Sequence, residues 1–94
     1  MENEEKELDA VCVSDIQSKW EKDLQTENVY DKVTSTVMLT RQGYMIKTTV
    51  SSHYAYPKII SVLDNLCKKL YPNYVNYEYS NRMIYFFFNG RCAA

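Results

Sequence analysis

Glycine and histidine are scarce in this sequence, which has only Gly43, Gly90 and a single histidine, His53. Phosphate-binding loops of the Walker and dinucleotide types need several glycines at fixed spacing so that the backbone can approach the phosphates. A histidine that acts as a general base needs a group that orients it, and no carboxylate is suitably spaced from His53. These absences argue against nucleotide hydrolysis and acid–base catalysis, and we expect that the protein is not an enzyme.

Cysteine pairs and metal-ligand clusters are also absent from the sequence. Cys12, Cys67 and Cys92 are widely spaced, with no C-x-x-C motif and no accompanying histidine. This pattern favours free thiols in a reducing compartment, and it predicts neither a metal site nor a cofactor. Cys67 falls on the apolar face of a predicted helix, where a small buried thiol is the expected role.

Charge and hydropathy exclude further classes of protein. Eleven basic and twelve acidic residues give a formal net charge of −1, so no overall field attracts nucleic acid or anionic lipid. No apolar run approaches membrane-spanning length, and we expect no membrane partner and a cytoplasmic or nuclear location. Residues 1–12 are dominated by glutamate, and we expect them to form a flexible acidic arm before a single domain, residues 13–94.

Two amphipathic helices are predicted, over residues 14–28 and 57–70. Ser14 and Gln17 have the S-x-x-Q spacing of a capping box, which predicts the start of the first helix. Trp20 is the main apolar anchor of that helix. The second helix begins with a proline in its first turn and carries a broad apolar face.

Four strands are predicted in two hairpins. Residues 33–40 are rich in β-branched side chains, and residues 44–50 alternate after a turn that contains Gly43. Residues 74–79 and 82–88 form the second pair. The order helix, hairpin, helix, hairpin predicts an α+β fold in which a four-stranded antiparallel sheet packs with two helices.

The second hairpin is unusually rich in aromatic residues, in a chain that has nine tyrosines. Its last strand is apolar on both faces, so it must lie centrally in the sheet, be covered on both sides or meet another chain. Strand propensity alone also accounts for many aromatics. The candidate partner-binding residues are Tyr74, Tyr77, Tyr79, Arg82, Tyr85 and Phe87.

These features favour a non-catalytic protein-interaction module, which dimerises through its sheet or its second helix and serves as a small adaptor or scaffold subunit. The partner is a protein, in a homodimer or a heterodimer. The alternative is a small RNA- or DNA-binding domain that stacks bases on the sheet tyrosines, with Arg82 as a cationic contact. The order of elements is not that of an RNA-recognition motif, and the slightly acidic net charge also disfavours this alternative.

The segment VMLTRQGYMIKTTV, residues 37–50, resembles the roadblock/LC7 family of dynein light chains. The matching positions are a glycine in the turn, Gly43, and the run Ile46, Lys47, Thr48 and Thr49 in the following strand. A capped helix precedes them and a long helix follows them, so the resemblance covers residues 14–88. It implies a non-catalytic module that homodimerises by joining two sheets and then binds an elongated partner. Members of the family usually continue with a further strand, which has no counterpart here.

Overall fold

A computed structural model describes residues 2–51 and 56–90, with side chains from residue 13 onward. Two α-helices and four β-strands lie in this part of the chain, together with a 3₁₀ turn over Tyr30–Lys32. The prediction of an α+β fold with two helices and a four-stranded antiparallel sheet is therefore confirmed. The elements are α1 (Glu2–Thr26), β1 (Val33–Leu39), β2 (Gly43–Val50), α2 (Tyr56–Leu70), β3 (Tyr74–Ser80) and β4 (Met83–Asn89).

The first helix begins at Glu2, so the prediction that it starts at Ser14 is wrong. Ser14 is an exposed residue inside the helix rather than its N-cap. The segment before Ser14 is rich in glutamate, which has a high helix propensity and is favoured near the positive end of the helix dipole. These local preferences outweigh the capping signal. The division between an arm over residues 1–12 and a domain over residues 13–94 stays a prediction. His53 and Cys92 lie outside the described residues.

The strands lie side by side in the order β1, β2, β4, β3, and each neighbouring pair is antiparallel. The most apolar strand, β4, is therefore central, which is one of the three positions that its sequence allowed. Directly opposed residues on neighbouring strands share a face of the sheet, so the register assigns every paired strand residue to one of two faces. The pairs Ile46–Phe86 and Lys47–Tyr85 belong to opposite faces.

Both helices contribute to a hydrophobic core on one side of the sheet, which we call the helix-covered face. Trp20 of α1 and Leu63 of α2 are fully buried against sheet residues such as Phe86. A chain of hydrogen bonds crosses this core: Trp20 Nε1 donates to Ser35 Oγ at 2.9 Å, and Ser35 Oγ lies 3.0 Å from Thr48 Oγ1. No buried side-chain polar atom among the described residues lacks a partner. This network fixes β1 and β2 beneath α1.

Glycine is required at position 43 because β2 and the end of β4 approach each other closely there, and not because of a turn conformation. A Cβ atom at Gly43 would clash with the carbonyl oxygen of Phe88 and would lie only 2.6 Å from that of Gly90. Because real Cβ contacts are essentially never this short, any side chain here would push β2 away from the end of β4.

Candidate interaction surface

The register separates the predicted partner-binding residues, because β3 and β4 present alternate residues to opposite faces. Tyr74, Tyr77 and Tyr79 oppose Phe88, Phe86 and Ile84, whose side chains are buried on the helix-covered face. Tyr85 and Phe87 lie on the other face. The six predicted residues therefore do not form one surface.

Tyr74 is a structural residue of the core side of the sheet. Its hydroxyl donates a hydrogen bond of 2.7 Å to Asp64 Oδ1 on α2, and its ring lies 5.5 Å from the ring of Phe88. Burial, and then the hydrogen bond to Asp64, raise the pKa of Tyr74. The ring and the hydroxyl are both engaged within the chain, so Tyr74 fixes α2 on β3.

The other two β3 tyrosines extend from the core toward the edge of the sheet. The Tyr77 ring lies 6.2 Å from Phe86 and contacts the core from a half-buried position. Tyr79 is 61% exposed, and its ring meets Tyr56 of α2 edge-on at 5.9 Å. Only Tyr79 among the three offers a large exposed surface.

Arg82 stabilises the turn between β3 and β4. It has a φ of +64°, a conformation that non-glycine residues rarely adopt. Its guanidinium donates to the backbone carbonyls of Val50 and Ser51 and lies 5.6 Å from the centre of the Tyr56 ring. These contacts join the turn to the end of β2 and the start of α2, and they give Arg82 a role within the fold.

The second side of the sheet, which we call the open face, is not covered by either helix. No residue of this face belongs to the hydrophobic core of the described part of the chain. Successive strands contribute three residues each, in rows set by the register. The open face consists of Thr34, Thr36, Met38, Met45, Lys47, Thr49, Met83, Tyr85, Phe87, Asn76, Glu78 and Ser80.

The centre of the open face is apolar, whereas an uncovered sheet face is usually polar. Met45, Met83, Tyr85 and Phe87 are only half-buried, although they lie on the two central strands. Met38, on the neighbouring edge strand, is 46% exposed. The Tyr85 hydroxyl donates to the sulfur of Met83, at 3.2 Å, on the same face. An apolar patch of this kind marks interaction sites on many proteins.

Methionine is concentrated on this face. Met38, Met45 and Met83 all lie there, and they are three of the four methionines in the sequence. Methionine is flexible and polarizable, which suits a surface that must adapt to a partner. The alternation of β2 and β4 could have indicated Met45 and Met83 from the sequence, but the tyrosines of β3 are the more conspicuous signal.

The outer edge of β1 is protected by a side chain of α1. Gln17 Oε1 accepts a hydrogen bond of 3.2 Å from the Val37 amide, and Gln17 Nε2 donates one of 3.2 Å to the Ser35 carbonyl. The Gln17 amide thus takes the place that a further strand would occupy, which blocks edge-to-edge pairing there. The open face has no such protection from either helix, and β3 forms the other edge of the sheet.

Two opposite charges flank Tyr85 across the strands. Lys47 on β2 and Glu78 on β3 both oppose Tyr85 on β4, one from each side. Neither takes part in an ion pair with another described residue. The middle row of the open face therefore runs positive, aromatic, negative.

Cys67, the metal-ligating residue types and a shallow cavity are further features of the surface and core of the described residues. Cys67 is fully buried, as predicted, and burial raises the pKa of its thiol, so it is held as a neutral core residue. No group of three or more histidine, cysteine or acidic side chains is placed to hold a metal ion among them. A shallow cavity between the end of α1 and the start of α2 is lined by Lys32, Lys58 and Glu27, which mix both signs of charge. Neither described helix has the length and apolar character needed to cross a membrane.

Comparison with known proteins found no match to a family model, to a curated protein or to a solved structure. The resemblance to the roadblock/LC7 family therefore stays a prediction. Inference about function depends on the surface of this chain alone.

Proposed function

We propose that this protein is a non-catalytic protein-interaction module whose contact surface is the open face of its sheet. It serves as a small adaptor or scaffold subunit of a larger cytoplasmic complex. The observation that supports this proposal is the apolar centre of the open face, where Met45, Met83, Tyr85 and Phe87 lie uncovered on the two central strands.

The physical argument rests on the free energy of burying that centre. Removing apolar surface from water contributes about 25 cal/mol per Å², so covering two aromatic rings and two thioethers yields several kcal/mol. Methionine and aromatic side chains are enriched in the buried centres of interfaces. The surrounding threonine, serine and asparagine side chains give the polar rim that such interfaces have.

The proposal assigns different roles to the six predicted partner-binding residues. Tyr85 and Phe87 make the contact, whereas Tyr74, Tyr77 and Arg82 hold the sheet, helices and turn in place. Tyr79 is exposed on the helix-covered face and takes no part in this contact. In this proposal the functional unit is a helix, hairpin, helix, hairpin arrangement, in which each helix covers the same side of the sheet and leaves the other side for the partner.

Site-specific photo-cross-linking tests the proposal. A benzophenone side chain in place of Tyr85 lies at the centre of the open face, and the same group in place of Tyr30 is a matched control, since Tyr30 is 43% exposed in the 3₁₀ turn. We expect the Tyr85 probe to form one defined protein adduct in the native source and the Tyr30 probe to form none. Equal labelling from both positions, or no adduct from Tyr85, would contradict the proposal.

A second candidate function, binding of single-stranded RNA or DNA, is favoured by one cluster on the same face. Tyr85 and Phe87 lie two residues apart on a central strand, and Lys47 is beside them, so bases could stack next to a cation. The negative charge of Glu78, on the other side of Tyr85, would repel a phosphate backbone. This candidate predicts that the protein binds oligonucleotides, that binding weakens as the salt concentration rises, and that Tyr85→Ala abolishes it. Fluorescence anisotropy with a labelled oligonucleotide measures this binding, and no binding at low salt would reject the candidate.

A further inference from the structure

The charges on the open face are arranged symmetrically about β4. Lys47 lies on the strand to one side of Tyr85 and Glu78 on the strand to the other side, both in register with Tyr85. Neighbouring strands are about 4.8 Å apart, so the two charges lie at about equal distances from the centre of the row. A surface that carries opposite charges at equal distances from a central line is complementary to a rotated copy of itself.

We propose that the occupant of the open face is a second copy of this chain, related by a two-fold axis that lies midway between the two sheets, directly over β4 and parallel to it. This inference rests on the proposed use of the open face for protein contact. Rotation about that axis turns the second sheet over and exchanges left for right, so the Lys47 ammonium of each copy comes to face the Glu78 carboxylate of the other. Two equivalent ion pairs then flank the centre.

The charges also exclude the other two-fold arrangement of stacked sheets. A two-fold axis midway between the two sheets but perpendicular to the strands, passing over their row, would place Lys47 over Lys47 and Glu78 over Glu78. Like charges opposed across an interface are unfavourable, so of these two arrangements the pattern selects the axis along β4.

The same axis brings the apolar groups together. The β4 residues lie closest to the axis, so Met83, Tyr85 and Phe87 of one copy pack against the same residues of the other. Sheets that pack face to face are about 10 Å apart, a distance that one lysine and one glutamate side chain can bridge together. The apolar β4 residues and the ion pairs are thus satisfied by one placement, in which Met45 of each copy lies opposite Asn76 of the other.

The size of the face sets the strength of this dimer. With the axis along β4, β1 of each copy lies beyond the edge of the other sheet, so three strands of about seven residues overlap. They give a contact of roughly 14 by 24 Å per copy, at strand spacings of about 4.8 Å and rises of about 3.4 Å per residue. This is below the size of stable specific interfaces, which bury about 1,200 Å² or more in total, and we expect a weak, reversible dimer that forms between high micromolar and millimolar concentration.

Charge-reversal variants test the geometry by sedimentation equilibrium. In Lys47→Glu or Glu78→Lys alone, positions 47 and 78 carry the same sign of charge, so both opposed pairs of a dimer become repulsive. We expect each variant to dimerise more weakly than the wild type, by about tenfold or more, and an equimolar mixture of the two to form a heterodimer, because every opposed pair in it is again of opposite sign. Lys69→Glu, on an exposed position of α2, is the matched control and keeps the wild-type dimerisation.

A double variant that combines Lys47→Glu with Glu78→Lys tests the direction of the axis. With the axis along β4, its own dimer keeps both ion pairs, but a mixed dimer with the wild type opposes like charges at every pair. We therefore expect the double variant to dimerise with itself and not with the wild type. Preferential mixed dimers of the double variant with the wild type would show the axis across the strands and overturn the axis proposed.

The other outcomes decide between a second copy and a different partner. Unchanged dimerisation of both single variants, or a mixture of them that stays monomeric, would overturn the proposal. A strictly monomeric wild type together with an adduct between the Tyr85 probe and a different protein would reject the second copy and leave the proposed function standing. Circular dichroism verifies that every variant is folded.

Discussion

Replacing Phe86 or Phe87 with alanine should have very different effects on stability, although the two residues are adjacent and identical. Phe86 is fully buried and lies 5.6 Å from the Trp20 ring, so its removal leaves a cavity in the core. Such Phe→Ala changes cost about 3–5 kcal/mol. Phe87 is half-buried on the open face, where loss of cross-strand contacts costs about 1 kcal/mol or less.

The expected loss for Phe86→Ala is large relative to the free energy of unfolding of the whole domain, and the loss for Phe87→Ala is small. A chain of this length has a free energy of unfolding of about 5–14 kcal/mol, at about 0.05–0.15 kcal/mol per residue. Phe86→Ala therefore removes a large share of the stability, whereas Phe87→Ala leaves most of it. The same Phe87→Ala change should weaken self-association, since the ring lies in the centre of the proposed contact.

Urea denaturation at low protein concentration, followed by circular dichroism, measures the difference. The fluorescence of Trp20 is a second probe, since it is the only tryptophan and is fully buried. We expect equal slopes and clearly separated midpoints for the two variants. A loss for Phe87→Ala as large as that for Phe86→Ala would refute the assignment of the two residues to opposite faces.

Three further variants test features of the fold. Gly43→Ala should destabilise the protein by about 1–3 kcal/mol, measured by urea denaturation, because its Cβ would clash with the Phe88 carbonyl; wild-type stability would contradict that close approach. Ser35→Ala should lower the free energy of unfolding by about 1–3 kcal/mol, because Trp20 Nε1 loses its hydrogen-bond partner, and it should also change the indole fluorescence. An unchanged free energy of unfolding would show that this hydrogen bond is not required. Burial, and then a hydrogen bond to the carboxylate of Asp23 on α1, raise the pKa of Tyr71. The contribution of Tyr71 to the free energy of unfolding is therefore complete below the ordinary tyrosine pKa of about 10, and it is lost as the pH rises through the pKa of Tyr71 in the folded protein. Tyr71→Phe should thus lower the urea midpoint at neutral pH and show a shallower alkaline decline than the wild type, and parallel pH profiles would contradict this.

The sequence predicted the elements well where the hydrophobic period was strong. The strands β1 to β4 lie within a residue or two of their predicted ranges, because alternation and turn residues bound them tightly. The start of α1 was missed because a capping box at Ser14 also fits an ordinary helix interior. Capping signals indicate where a helix can begin, but upstream residues with high helix propensity can extend it.

The candidate site was harder to predict, because a surface depends on which side of the sheet the helices cover. The sequence showed that Tyr85 and Phe87 share a face, yet nothing local indicated that this face is the open one. The tyrosines of β3 were grouped with them by proximity along the chain, but a bulge between Tyr74 and Asn76 and the register with β4 place them on the helix-covered face. The hydroxyl of Tyr74 donates a hydrogen bond to Asp64 on α2, a contact between elements that no local sequence pattern encodes.

The most direct measurement of self-association through the open face is a dilution series of methyl NMR spectra recorded on protein labelled at methionine. Met38, Met45 and Met83 are all on that face. We expect the Met45 and Met83 signals to shift together between micromolar and millimolar concentration, with a smaller shift for Met38 at the edge. Signals from Met45 and Met83 that do not move over this range would contradict the account.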